Sequence, residues 1–135
     1  MLHTDSVCIR TAAEDPGPKR IKKGSSGRLR YICAGAVCAR KNQLEVIKAF
    51  ESALSEGING ELFLYGYDRD PYAKECRQYL EEQKLEEWIH MTGFCTDMAD
   101  EYEQADVLLC GSTCESYPNV ISEALAHGLV VISTP

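Results

Sequence analysis

The sequence predicts a doubly wound α/β fold with a parallel, Rossmann-like sheet. Three observations carry that prediction. Short apolar runs end in glycine, helical stretches with one apolar face stand between them, and the two alternate from residue 29 to residue 135. Strands that alternate with helices pair in parallel through right-handed crossovers, which covers both faces of an open sheet.

The first strand is Leu29–Gly35 (LRYICAG), a buried-type apolar run closed by glycine. Asn42 then offers a helix N-cap, with Glu45 three residues on as its capping-box partner. Leu44, Ile47, Phe50 and Leu54 follow at helical spacing, and Gly57 ends the helix. Glu61–Gly66 (ELFLYG) is the second strand, and Pro71 starts a charged helix that runs to about Gln83. The third strand is Trp88–Gly93, followed by a short acidic helix over Asp97–Gln104 capped by Thr96 or Asp97. Asp106–Cys110 is the fourth strand. A helix from Pro118 or Asn119 to His127, a turn at Gly128 and a fifth strand at Leu129–Ser133 complete the order. The chain stops at Pro135, where a parallel strand ordinarily leads into another covering helix, so the frame reads as truncated, with an apolar face left to associate.

Composition narrows the functional classes. At 135 residues, 44% hydrophobic and 26% charged, the chain is of ordinary globular character with room for one core. No run approaches the roughly 18 apolar residues of a membrane span, and Met1–Arg10 lacks a signal-type apolar core, which points to the cytoplasm. The seven cysteines are odd in number and form no CxxC, as expected of buried free thiols in a reducing compartment. Cys110, Cys114 and a histidine do not have the spacing of a structural zinc motif, so no metal site is assigned. The net charge of −7 divides into +6 over residues 1–50 and −13 over the rest. Overall acidity disfavours nucleic acid as a partner. The basic residues before Arg30 lie among Pro16, Pro18, Gly24 and Gly27, and residues 1–28 read as a linker or the remnant of a preceding segment. Residues 29–135 form the domain.

In an open α/β sheet a ligand binds beyond the carboxyl ends of the strands. The first such loop, Gly35-Ala36-Val37-Cys38-Ala39-Arg40-Lys41-Asn42, is neither GxGxxG nor a Walker loop. It places Arg40 and Lys41 at a helix start, where cations are unfavourable unless an anion offsets them. The last loop and helix run Ser112-Thr113-Cys114-Glu115-Ser116-Tyr117-Pro118-Asn119-Val120-Ile121-Ser122-Glu123. Pro118 suits a first helical turn, and the amides of Asn119 and Val120 would face the crevice as phosphate donors. Glu115 and Glu123, eight positions apart, would accept from neutral sugar hydroxyls, as an acidic residue does with ribose in dinucleotide folds.

This segment is similar to the E-x7-E motif of the retaining glycosyltransferases of the GT-B fold, group 1 or family 4. The likeness covers Leu29–Pro135 and includes the Lys41-Asn42 turn, Gly66, Gly93, Ala105-Asp106-Val107 and Glu115 to Gly128. It implies that the chain is the C-terminal, nucleotide-sugar-binding half of a GT-B enzyme. By that resemblance Glu123 would bind the ribose, and Glu115 would touch the donor hexose near its reacting carbon. Backbone around Tyr117, Pro118, Asn119 and Val120 would hold the diphosphate with Lys41. Gly93, Phe94 and Cys95 would meet the base, while Gly66 and Tyr67 border the site beside Gly35. It implies no metal and no cofactor besides the UDP-, GDP- or ADP-sugar donor. A sugar or lipid-linked acceptor would bind an N-terminal domain that these residues lack, in a cytoplasmic and, at full length, membrane-peripheral enzyme of polysaccharide biosynthesis. The chain departs from the family at Ala36, where an arginine usually follows the glycine, and Arg40 is the candidate substitute. Two other classes fit parts of the pattern: a GT-B nucleotide-sugar epimerase, which needs no acceptor, and a non-catalytic α/β interaction module, which ignores nucleotides.

Overall fold

A computed structural model describes residues 27–114 and 119–134. The basic linker up to residue 26, Glu115, Ser116, Tyr117, Pro118 and Pro135 lie outside the described residues. Ten elements follow one another: β1 (Leu29–Ala34), a 3-10 turn (Ala39–Lys41), α1 (Gln43–Ser55), β2 (Gly60–Tyr65), α2 (Pro71–Gln83), β3 (Ile89–Gly93), α3 (Ala99–Gln104), β4 (Val107–Cys110), α4 (Asn119–Ala126) and β5 (Val130–Ser133).

The five strands form one sheet in the order β3-β2-β1-β4-β5, and every pairing is parallel. The chain runs outward from β1 to β3, then returns to the far side of β1 as β4. The order therefore reverses between β1 and β4, the place where a doubly wound sheet leaves a crevice beyond its carboxyl ends.

Alternation along the strands divides the core in two. On one face Tyr31, Cys33, Leu62, Leu64 and Val107 pack against Val46, Ile47 and Phe50 of α1 and Ala73, Cys76 and Leu80 of α2. On the other, Ile32, Tyr65 and Leu108 meet Tyr102 of α3 and Ala124 of α4. β5 is the thinly covered edge, with Val130 and Ile132 more than half exposed.

Local sequence explains most boundaries. Asp70 caps α2 by accepting from the Tyr72 amide at 2.9 Å, with Pro71 in the first turn. Schellman turns close α1 at Gly57 and α4 at Gly128, where Ile58 N bonds Ala53 O at 3.0 Å and Leu129 N bonds Ala124 O at 2.9 Å.

Two capping expectations need correction. Asn42 does occupy the N-cap of α1, but in the left-handed conformation (φ 56°) and without a side-chain cap bond. That geometry turns its side chain away from the first amides, so no capping box forms, and Glu45 pairs with Lys48 at 2.8 Å instead. The acidic helix begins at Ala99 with Met98 at its cap, two residues later than expected. Asp97 forms a short Asx turn ahead of it, its Oδ1 accepting from Ala99 N at 3.0 Å, and this turn competes with an earlier helix start. The buried side of α1 is also rotated from the apolar reading: Gln43 and Val46 are buried, while Leu44 and Leu54 are only partly so.

The exits of β1, β2 and β3 are stitched together through glycines. Gly35 N donates to Tyr65 O at 2.8 Å, Gly66 N to Gly93 O at 2.8 Å, and Val37 N to Tyr67 O at 2.8 Å. Gly66 stands at φ +154°, and a Cβ there would lie 1.9 Å from the Gly35 carbonyl oxygen. Backbone meets backbone, so no rotamer change relieves the clash. Gly66→Ala should therefore destabilise the chain by roughly 2–4 kcal/mol in urea unfolding. Gly93→Ala, strained in φ (+81°) but with open space around it, should cost about 1 kcal/mol. Equal midpoints for the two variants would contradict the close approach.

Candidate functional site

The crevice at the strand exits is a cleft of about 170 Å3. Ala34, Gly35 and Ala36 of the β1 exit form one wall, Tyr65, Gly66 and Tyr67 the floor, and Phe94, Cys95 and Met98 another wall. Tyr102 of α3 and Val120 and Glu123 of α4 close the remaining side. Among the described residues its lining is mostly apolar or backbone, with a single carboxylate, that of Glu123. At the rim Tyr67 and Phe94 stack face to face, ring centroids 4.3 Å apart at 16°, and both remain more than half exposed.

Lys41 reaches the cleft from the 3-10 turn. Its side chain runs across Gly35, with Cε 3.4 Å and Nζ 3.8 Å from where a Cβ on that glycine would stand. A Cβ there would meet the lysine only at ordinary contact distance, so it is the backbone at φ +136° that calls for glycine at the β1 exit. The lysine side chain thus lies at the carboxyl end of the central strand, beside the cleft.

Gln43 shapes the same loop. It is 1% exposed, its Nε2 donates to Ala36 O at 2.9 Å, and its Oε1 accepts from Cys38 N at 3.3 Å. A buried amide costs free energy unless both its ends are bonded, and here both are, to backbone that no strand satisfies. Gln43 therefore fixes the path of residues 36–38 around the cleft.

Two tyrosines carry the polar connections behind the cleft wall. Arg30 lies flat on Phe63, 3.8 Å from the ring centroid, and its Nη2 donates to Tyr65 Oη at 2.7 Å and Glu101 Oε2 at 2.8 Å. Tyr65 in turn donates to Glu101. One residue on, Tyr102 donates to Glu123 Oε2 at 2.9 Å. Burial pushes the Tyr65 phenol up to about 12, assisted by its bond to Glu101 and opposed by Arg30. Burial raises Tyr102 as well, reinforced by its bond to the Glu123 carboxylate.

Residues 28–135 match the family model described as Glycosyl transferases group 1. The chain belongs to that family. No curated protein matches it. Among solved structures it resembles the pneumococcal O-GlcNAc transferase GtfA in complex with UDP and GlcNAc, with TM-score 0.70 and 24% identity over 85% of this chain and 22% of that one. Anabaena Alr3699/HepE in complex with UDP and glucose gives TM-score 0.72 and 23% identity over 82% of this chain and 30% of the other. The C-terminal domain of the group 1 glycosyl transferase LpcC from Francisella tularensis gives TM-score 0.70 and 24% identity over 78% of this chain and 57% of that domain. The chain thus spans less than a third of GtfA and HepE, and at these identities the likeness is one of fold: the parallel α/β half of a GT-B glycosyltransferase.

Within this glycosyltransferase domain the structure unites Gly35, Gly66, Phe94, Val120 and Glu123 around one cleft, with Lys41 against Gly35 and Gly93 bonded to Gly66. Asn119 begins α4 and is exposed. Arg40, the candidate substitute for an arginine at position 36, contacts the β4–α4 loop. Its Nη1 donates to Cys114 O at 3.2 Å, and its carbonyl accepts from Thr113 N at 3.0 Å. Arg40 thus ties the β1–α1 turn to the β4–α4 loop. Glu115, Tyr117 and Pro118 fall outside the described residues. Among those that are described, no cluster of three His, Cys, Asp or Glu is placed to hold a metal ion, and no helix is long and apolar enough to cross a membrane. In the turn after β2, Asp68 pairs with Arg77 and Asp70 caps α2.

Sequence reading missed Gln43, Met98 and Tyr102, and it gave Tyr65 no part beyond the second strand. A polar residue at the first position of an amphipathic helix, and a tyrosine on the apolar side of an otherwise acidic one, were the available signals.

The raised phenols set a direction for alkaline stability. Tyr65 titrates higher folded than at its ordinary value of 10.0, so its contribution is fully present below about pH 10 and is lost as pH rises through about 12. Tyrosinate absorbance should show late-titrating phenols in the folded chain. Tyr65→Phe should remove one of them and flatten the fall of the urea midpoint across that window. Phenols that all ionise near pH 10 in the folded protein would rule the buried network out.

Proposed function

We propose that this chain is the donor-binding half of a metal-independent, retaining glycosyltransferase that transfers a hexosyl group from a nucleotide-sugar to an acceptor. The observation that carries this reading is Glu123. Among the described residues it is the one carboxylate lining a cleft of glycine backbone and apolar side chains at the reversal point of the sheet, and it lies on the helix that follows the segment with Glu115. A carboxylate there repels phosphate and suits neutral donors, which the vicinal hydroxyls of ribose provide. GtfA and HepE, solved with UDP and a sugar, support a nucleotide-sugar as the ligand class.

In this reading Glu123 takes the ribose and the exits at Gly93, Phe94 and Cys95 border the base. Gly35 admits the diphosphate close to backbone, beside Lys41. The α4 N-terminus around Tyr117, Pro118, Asn119 and Val120 supplies amides to the same phosphates, and Glu115 takes hydroxyls of the donor sugar. Lys41 and the helix amides stabilise charge that develops on the leaving diphosphate, the work a metal performs elsewhere. The bond from the anomeric carbon to the diphosphate breaks, the acceptor oxygen bonds that carbon on the same face, and its proton passes to the leaving phosphate. The acceptor, a sugar or lipid-linked sugar, would be presented by an N-terminal domain in a cytoplasmic enzyme. Residues 1–28 would serve as the connection, and residues 29–135 as the donor domain. With Ala36 in place of the family's arginine, the diphosphate would rest on Lys41 and backbone, with Arg40 as the candidate substitute.

Calorimetric titration with UDP, GDP and ADP, with and without EDTA, tests the reading. One nucleotide should bind, unaffected by EDTA, and Glu123→Ala should weaken it about 10- to 100-fold, as expected for hydrogen bonds to a charged acceptor. A folded chain that binds none of the three would overturn the assignment.

A further inference from the structure

We propose that Tyr102 is a positioning residue for nucleotide binding, acting through Glu123: its hydroxyl fixes the carboxylate in the orientation that receives the ribose. The inference rests on the reading that Glu123 binds ribose and adds the residue that prepares it.

α3 has six residues (ADEYEQ), and the one buried among them is Tyr102, 2% exposed. Filling the space between α3, β4 and α4 requires a large aromatic ring, and phenylalanine would fill it equally well. The hydroxyl is therefore surplus to packing. Buried, it also carries a cost unless it finds an acceptor. The acceptor it finds is Glu123 Oε2, at 2.9 Å. An ionised carboxylate only accepts, so the phenol donates, and it occupies one lone pair of Oε2. Oε1 and the remaining lone pair of Oε2 are left for two ligand hydroxyls.

Fixing that carboxylate has a physical consequence. Glu123 is half-buried at the cleft edge, and a glutamate there loses side-chain freedom when it grips a ligand. A bond from a rigid, buried ring removes that freedom before the ligand arrives, which lowers the entropic cost of binding. The donor is itself well anchored. The Tyr102 ring stands 5.3 Å from the His127 ring, and His127 Nδ1 lies 2.9 Å from the Glu123 carbonyl oxygen. The preceding residue, Glu101, holds α3 to the sheet through Arg30 and Tyr65. Arg30 is in turn held by its amide, which donates to Asp106 Oδ2 at 2.8 Å. Two sets of polar contacts, Arg30–Tyr65–Glu101 and Tyr102–Glu123, thus meet at adjacent residues of α3 and tie the helix to β1 on one side and to the Glu123 carboxylate on the other.

The test titrates UDP, GDP and ADP, and their 2′,3′-dideoxy analogues, into wild type, Tyr102→Phe, Glu123→Ala and the double variant, with a melting curve for each. The expected result is that Tyr102→Phe weakens the bound ribonucleotide about tenfold. It should leave the dideoxy analogue unchanged and add no loss in the Glu123→Ala background. A packing defect would weaken both nucleotides alike, so the comparison holds even if Tyr102→Phe melts early. Unchanged ribonucleotide binding by Tyr102→Phe, or an equal loss on the dideoxy analogue, would overturn the inference while Glu123→Ala still supports the ribose contact. If Glu123→Ala binds as wild type, or wild type binds no nucleotide, the ribose reading itself fails and the role of Tyr102 falls with it.

Discussion

The contact on which the rest depends is the approach of two backbones at the carboxyl end of the sheet. The carbonyl of Gly35 occupies the space any side chain at position 66 would take. Because β1 and β2 leave the sheet touching, their loops cannot fold inward over the strand ends, and they become the wall and floor of the cleft. The bond from Gly66 to Gly93 extends the seam to β3. Lys41 lies over Gly35, within van der Waals range of where a Cβ would stand. Side-chain volume is removed from three successive strand exits, and the space gained admits a ligand close to main-chain atoms.

The two faces of the sheet divide the labour. The α1–α2 face is a dry apolar layer whose buried polar side chain is Gln43, spent on the loop beside the cleft. The α3–α4 face is polar by comparison, with Arg30, Tyr65 and Glu101 hydrogen-bonded in one set and Tyr102 and Glu123 in another. Burying charge and phenol on that face is costly unless every group is partnered. Here the groups are partnered except the Nε of Arg30, which is buried without a hydrogen bond while its guanidinium lies over Phe63; α4, on this face, is the helix that presents Glu123.

Arg40 shows how a residue read as a ligand group also takes a place in the frame. A cation at a helix start, next to a position that lacks the family's arginine, looks available to phosphate. The fold brings the β4–α4 loop within reach, and that loop offers the carbonyl of Cys114. Arg40 also accepts from Thr113 through its own carbonyl. The two loops that flank the crevice are thereby tied together, leaving Lys41 as the side chain directed to the β1 exit.

The sequence by itself determined the order of elements, the parallel sheet and the loops that border the cleft. Apolar periodicity and helix punctuation are local properties, legible within a dozen residues around Gly57, Pro71 or Gly128. It also singled out Glu123, Lys41 and the three strand-exit glycines by type and position. Only the tertiary structure decided which side chains serve that cleft and which serve the frame. Tyr102 and Glu123 are 21 positions apart, Arg30 and Glu101 are 71, and Arg40 and Cys114 are 74. A hydrogen bond between such pairs leaves no periodic trace in the chain, because its geometry is set by how the sheet stacks its helices rather than by any local preference.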